Sequence, residues 1–184
     1  MSAAGPLSKR ERLAILRQDM PVREAYVRIG GFEEVNLGFS EQVALVEARR
    51  CLQCRVAPCV AGCPVGVDIP AFLARLEDSD LAGAADVLLA GNALPAVTGR
   101  VCPQENQCEA RCVLARKGQS VAIGHLERFV ADWAREHREP GSAWRSSTAS
   151  TSAILRERRT SSRRSLAAKC QSSPRLTHMA TMRT

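Results

Sequence analysis

The chain has 184 residues, of which 45% are hydrophobic, with eight cysteines and a formal net charge of +7. That length suits one ordinary domain; no apolar run of about 18 residues is present for a transmembrane helix, and MSAAGPLSKRERLAILRQDM has no apolar stretch of signal-peptide length, so the expected location is cytoplasmic. The basic excess is not spread over the chain: residues 1 to 141 carry 17 Lys and Arg against 18 Asp and Glu, and residues 142 to 184 carry 9 against 1.

In chain order, residues 1–39 begin polar and are then broken by Gly30-Gly31 and Gly38, which predicts turns and extended pieces forming an N-terminal arm. Ser40 is placed to cap a helix through EQVALVEARR, which delivers Cys51 at its end. Asp68 caps a second helix, IPAFLARLED, with Pro70 in the first turn where its missing N–H does no harm. Asp80 caps a third, LAGAADVLLAG, stopped by Gly91-Asn92. Residues 92–118 show no clean period and are expected to be loops and short helical turns around a cofactor. From Ser120 onward, Val121, Ile123, Leu126, Phe129, Val130 and Trp133 recur at helical spacing as far as Pro140-Gly141. The predicted domain is therefore residues 40–138, all-α.

Residues 142–184 contain 24 Ser, Thr and Arg among 43. A segment so poor in periodic apolar residues cannot offset its ordering entropy, so residues 139–184 are expected to be a disordered basic tail. Its Arg clusters have no aromatic platform beside them. Weak, salt-sensitive affinity for nucleic acid is the most they would give, and a nucleic-acid partner is not expected.

The chemistry lies in the cysteines. Cys51, Cys54, Cys59 and Cys63 follow the spacing C-x2-C-x4-C-x3-C-P, and Cys102, Cys108 and Cys112 follow C-P-x4-C-x3-C. In a reducing compartment, such crowding argues for metal or iron-sulfur ligation over disulfides. A zinc site would normally show a second separated pair or histidines, which the first group lacks. The bacterial ferredoxin run C-x2-C-x2-C-x3-C-P is the nearer pattern, and in two-cluster ferredoxins its fourth cysteine serves the other cluster. By that logic Cys51, Cys54 and Cys59 sit on one cluster and Cys63 crosses to a second. Two [4Fe-4S] clusters need eight ligands and residues 1–141 offer seven cysteines. Glu127 and His125 are candidates for the eighth, with Cys170 available by number only.

These residues resemble the N-terminal iron-sulfur domain of the NADPH-dependent glutamate synthase small (beta) subunit. Similar domains occur in the NADH-dependent ferredoxin:NADP oxidoreductase large subunit and in dihydropyrimidine dehydrogenase. The likeness runs from about Phe32 to Glu136, through EARRCLQC, PCVAGCPVGVDIPAFL, NALPAVTGRVCP, CEARC and VAIGHLERFVAD. It implies a small helical domain wrapped on two [4Fe-4S] clusters. Cys51, Cys54, Cys59 and Cys112 match the ligands of one cluster. Cys63, Cys102 and Cys108 match those of the other, whose fourth ligand in such domains is a Gln or Glu at the position occupied here by Glu127.

The resemblance also implies a role in electron transfer: electrons pass from NADPH through FAD and the clusters toward the glutamate synthase large subunit or another oxidoreductase subunit. In the family, FAD and NADP bind to modules announced by G-x-G-x-x-G after the last helix. Here the Ser/Arg-rich tail stands in that place. It reads as an out-of-frame product of a GC-rich gene or as a genuine basic extension, so neither FAD nor NADP is expected on this chain, nor catalysis by it alone. The competing expectation is a non-redox, metal-stabilised docking fragment of an oxidoreductase complex.

Overall fold

The computed structural model describes residues 7–138; the tail expected at residues 139–184, with Cys170, lies outside them. Among the described residues the secondary structure is helical, with no named strand and a single antiparallel bridge between Val22 and Asn36. Nine α-helices follow in order: α1 (Lys9–Ala14), α2 (Ala25–Arg28), α3 (Glu41–Ala48), α4 (Pro58–Ala61), α5 (Ile69–Glu77), α6 (Leu81–Gly91), α7 (Pro95–Val101), α8 (Cys108–Arg111) and α9 (Ile123–His137). Short 3-10 turns at Gln104–Asn106 and Val113–Lys117 flank α8.

The expected caps are in place because each satisfies an orphan N–H of the first turn. Ser40 Oγ accepts from Val43 N at 3.4 Å, Asp68 Oδ1 from Ala71 N at 3.2 Å, and Asp80 Oδ1 from Gly83 N at 2.9 Å. The core forms where the apolar faces of these helices meet. Ile69, Phe72, Leu73 and Leu76 of α5, Leu88 of α6, and Leu126 and Val130 of α9 are all buried.

Three boundaries differ from the sequence reading. First, α3 ends at Ala48, and Arg49-Arg50 form the turn into Cys51. Second, α9 starts at Ile123, because the N–H of Ala122 is bound at 2.8 Å by Glu47 Oε1 and Val121 stays in the incoming loop. Third, the aperiodic stretch 92–118 contains α7, a two-turn helix opened by Pro95.

The first 39 residues hold two short helices besides extended chain. Ser8 and Glu11 form a capping box for α1: Ser8 N donates to Glu11 Oε2 at 2.7 Å, and Ser8 Oγ accepts from Glu11 N at 3.3 Å. Arg12 then reaches the carbonyl oxygens of Arg49 and Cys51 at 2.9 and 3.0 Å and both carboxylate oxygens of Glu77 at 2.8 Å. Further on, Arg100 and Arg128 pair with Glu34, and Arg128 Nη2 donates to Asn36 O. Residues 34–36 are thereby fastened to α7 and α9.

Among the described residues no single helix is long and apolar enough to cross a membrane. Only α6 and α7 taken together, bent by 81° at their junction, meet the length and composition.

Candidate metal centre

The cysteines lie at helix ends and on tight turns. Cys51 follows α3, and Cys54 follows a loop in which Gln53 takes φ +48°, the left-handed region, turning the chain back between the two thiols. Cys59 is on α4 and Cys63 follows it; Cys102 caps the end of α7; Cys108 opens α8 and Cys112 closes it. The two cysteine groups meet because α4 packs on α8.

Gly62 makes that approach possible. A Cβ at this position would lie 2.8 Å from both Gln107 O and Arg111 Cγ, and Gln107 O is backbone that cannot swing aside. Gly62→Ala is expected to push α4 off α8 and cost about 1–3 kcal/mol, the usual range for overpacking. Urea unfolding of the cluster-loaded protein measures it.

Cys51, Cys54, Cys59 and Cys112 line one partly enclosed cavity, whose wall is otherwise apolar and includes Leu52, Pro58, Pro70 and Leu114. Burial pushes the Cys51 and Cys59 thiols up to about 11, and neighbouring thiols add to it: Cys59, Cys112 and Cys54 act on Cys51, and Cys112 and Cys54 on Cys59. Cys63 acts elsewhere. Burial raises Cys108 to about 12, with Glu109, Cys63 and Cys102 pushing the same way. Cys102 is likewise raised, first by burial and then by Glu127 and Cys63. The thiols thus fall into two electrostatic neighbourhoods that cut across their order in the sequence.

Glu127, on α9, lies beside the second neighbourhood. Its Oε1 accepts from Thr98 Oγ1 at 2.6 Å and from Asn92 Nδ2 at 2.9 Å. Burial raises its pKa, and these two hydrogen bonds oppose the rise. His125, the other candidate for the eighth ligand, is not brought to the thiols. Its ring meets Phe39 edge-on, with centroids 5.3 Å apart, its Nδ1 is buried without a partner, and the charges acting on it are Glu109, Arg17, Glu47 and Arg128.

The donor chemistry suits a polynuclear soft-metal group. Among the described residues, no three His, Cys, Asp or Glu side chains converge as one metal ion would require. Cys51, Cys54, Cys59 and Cys112 line a cavity whose other wall residues are almost all apolar. Thiols held protonated by burial and mutual repulsion need a strong positive centre to become ligands, and an iron-sulfur cluster provides one. Asn92 and Thr98 carry no metal-ligand signal in the sequence and emerge only from the fold, as does the approach at Gly62.

This site and helical frame define an iron-sulfur domain. Residues 28–139 match the family described as dihydropyrimidine dehydrogenase domain II, 4Fe-4S cluster, and the chain belongs to that family. Over 104 residues it is 38% identical to the NAD-dependent dihydropyrimidine dehydrogenase subunit PreT of Escherichia coli (strain K12), covering 56% of this chain and 25% of that protein. Over 120 residues it is 38% identical to the glutamate synthase (NADPH) small chain of the same strain, covering 65% and 25%. The glutamate synthase (NADPH) small chain of Azospirillum brasilense is also 38% identical, over 119 residues, covering 64% and 25%. The matched stretch spans about a quarter of the length of these relatives. The resemblance read from the cysteine motifs is borne out.

Proposed function

We propose that residues 40–138 are an electron-relay domain with two [4Fe-4S] clusters. Cys51, Cys54, Cys59 and Cys112 hold one, and Cys63, Cys102, Cys108 and Glu127 hold the other. The domain serves an oxidoreductase of the glutamate synthase type, taking electrons that leave NADPH through FAD and passing them toward a large subunit. The observation that carries this reading is the grouping of the thiols: Cys112 joins Cys51, Cys54 and Cys59 around one cavity, while Cys63 acts on Cys102 and Cys108. A chain segment that gives one ligand to each of two sites keeps those sites close, which single-electron transfer requires.

When bound, each cluster supplies a one-electron couple whose potential depends on hydrogen bonding, burial and solvent access. The residues of this chain set those conditions. Leu52, Pro58, Pro70 and Leu114 give the first site an apolar wall that lowers its local polarity. Arg12 fixes the Cys51 carbonyl, and with it the loop that carries Cys54. Glu127 presents a hard oxygen where the other seven ligands are soft thiolates, which alters the balance of charge at the second site.

Anaerobic iron and acid-labile sulfide analysis with EPR tests the reading. About eight of each per chain, with absorbance near about 400 nm that bleaches on dithionite, is the expected result. About four of each would remove one cluster. A colourless, zinc-loaded protein would overturn the relay and favour the docking fragment.

A further inference from the structure

The two thiol neighbourhoods differ in the charge around them. Cys51, Cys54, Cys59 and Cys112 lie in residues 49–67 and 110–120, which together contain six Arg and Lys and no Asp or Glu. Of the six, Arg50 is buried against Glu47. Arg55, Arg111, Arg116 and Lys117 are exposed, and among the described residues none of these four forms an ion pair. All four stand close in the chain to the wall of the first cavity. Arg55 follows Cys54, Arg111 precedes Cys112, and Arg116 and Lys117 end the 3-10 turn that Val113 and Leu114 begin. Packing also places Arg111 there, since its Cγ would lie 2.8 Å from a Cβ at Gly62. Two exposed apolar side chains stand among these cations, Val56 after Arg55 and Val113 after Cys112.

The second neighbourhood has the opposite sign. Glu127 and the exposed Glu105 act on Cys102, and Glu109 acts on Cys108. Grouped cations without counter-ions repel one another and add nothing to the fold. Two uses remain for them: to offset the negative charge of a thiolate-bound cluster, or to receive an acidic surface. Exposure favours the second. Water screens an exposed charge from the site behind it, whereas an approaching surface displaces that water and meets the charge directly.

We propose that Arg55, Arg111, Arg116 and Lys117, with Val56 and Val113 among them, form a docking face for the acidic surface of a one-electron carrier protein. The proposal rests on the first site holding a cluster. Charge complementarity selects the occupant, because the same acidic surface is attracted here and repelled by Glu105 beside Cys102. The carrier is thereby directed to one end of the relay. Cys54, Cys59 and Cys112 are only half-buried, which leaves a short path from that end to the surface. One electron leaves the reduced cluster and reduces an oxidised carrier by one, with a proton taken from water where the carrier is a flavin.

An oxidised flavodoxin, an acidic flavoprotein, is the probe. It is titrated into the anaerobically reconstituted full chain, with ferric cytochrome c, which is basic, and a short DNA duplex in parallel. Dissociation constants are measured on the oxidised protein. Electron transfer from the dithionite-reduced protein, freed of excess dithionite, is followed by stopped flow. Three charge-matched variants are compared with the parent: Arg55→Glu/Arg111→Glu, Arg116→Glu/Lys117→Glu and, as control, Arg28→Glu/Arg135→Glu on α2 and α9. Every variant keeps the basic residues 142–184, so any attraction due to them stays constant. Visible absorbance reports cluster loading, and the second variant carries the test if substitution at Arg111 disturbs the packing on Gly62. The first two variants are expected to bind flavodoxin at least about ten-fold more weakly at about 50 mM salt and to reduce it correspondingly more slowly. The control should stay near the parent, and cytochrome c should gain affinity where flavodoxin loses it. If the first two variants lose no more than the control, the docking face is wrong and a reducible first cluster leaves the relay standing. If they shift the first-cluster midpoint potential but not flavodoxin affinity, the cations tune the cluster and do not dock a carrier. Loss of DNA binding with flavodoxin binding intact would assign the face to nucleic acid instead. A parent chain with no reducible first cluster would overturn the relay and the docking face together.

Discussion

Cys63→Ala and Cys112→Ala are expected to lose different clusters, each the opposite of what their order in the sequence suggests. Cys63 lies in the first cysteine group, yet its substitution should abolish the EPR signal of the cluster shared with Cys102 and Cys108. Cys112 lies in the second group, and its loss should abolish the cluster shared with Cys51, Cys54 and Cys59. In each case iron should fall from about eight to about four per chain, the full complement of one cubane. The packing of α4 on α8 at Gly62 brings the two cysteine groups together, as the proposed crossed ligation requires. Double variants make the test sharp. Cys51→Ala/Cys112→Ala should be no worse than Cys51→Ala alone, because the proposed ligation puts both residues on one cluster. Cys51→Ala/Cys63→Ala should lose both clusters. The opposite pattern would mean that each group of cysteines forms its own site and that the crossed arrangement is wrong.

Much of this was legible in the sequence because local rules and global fold agree there. Ser40, Asp68 and Asp80 cap the helices that their chemistry predicts, since a capping side chain acts within three residues of itself. The iron-sulfur class was legible because thiols at such spacing have few other uses. Elements held by tertiary contacts alone were not legible. Helix α7 buries Pro95 and Gly99 without an apolar period, and Gly99 is there for close approach to α9. Asn92 reads as a helix stop, which it is, yet its amide also holds Glu127 from 35 positions away. The Ser8 and Glu11 capping box was available as a local signal for α1 and was missed. What no pattern announced is that Arg12, Arg17 and Gln18 tie the first residues into the fold through the ion pairs and hydrogen bonds they make with Glu77, Glu109 and Glu47.

Glu47→Ala is expected to be the most destabilising substitution outside the cysteines, by about 3–5 kcal/mol, since it removes one partner from a buried ion pair. Glu47 is fully buried, at 0% exposure, and every bond it makes crosses between segments or holds its partner in place. Oε1 accepts from Ala122 N at 2.8 Å and Arg50 Nη1 at 2.7 Å, and Oε2 accepts from Gln18 N at 2.8 Å. Arg50, 4% exposed, donates in turn to the carbonyls of Ile15, Gln119 and Ser120. Removing the carboxylate strands the N–H groups of Gln18 and Ala122 and leaves a buried guanidinium facing carbonyl oxygens alone. The cost is a large share of the roughly 5–15 kcal/mol that holds a domain of this kind together. It should appear at the first cluster, because Cys51 follows Arg50 directly and Val121, beside Ala122, lines the same cavity. Urea unfolding of the reconstituted protein, followed by visible absorbance and helical circular dichroism, measures both effects. Glu47→Leu/Arg50→Leu removes the charge with its partner and should be less damaging than Glu47→Ala, since no unpaired ion remains. A Glu47→Ala loss below about 1 kcal/mol would show that packing around this side chain, and not the ion pair, joins the N-terminal residues to the cluster domain, and a double variant much weaker than the single one would show that the hydrogen bonds of Glu47 and Arg50 to the backbone outweigh the unpaired charge.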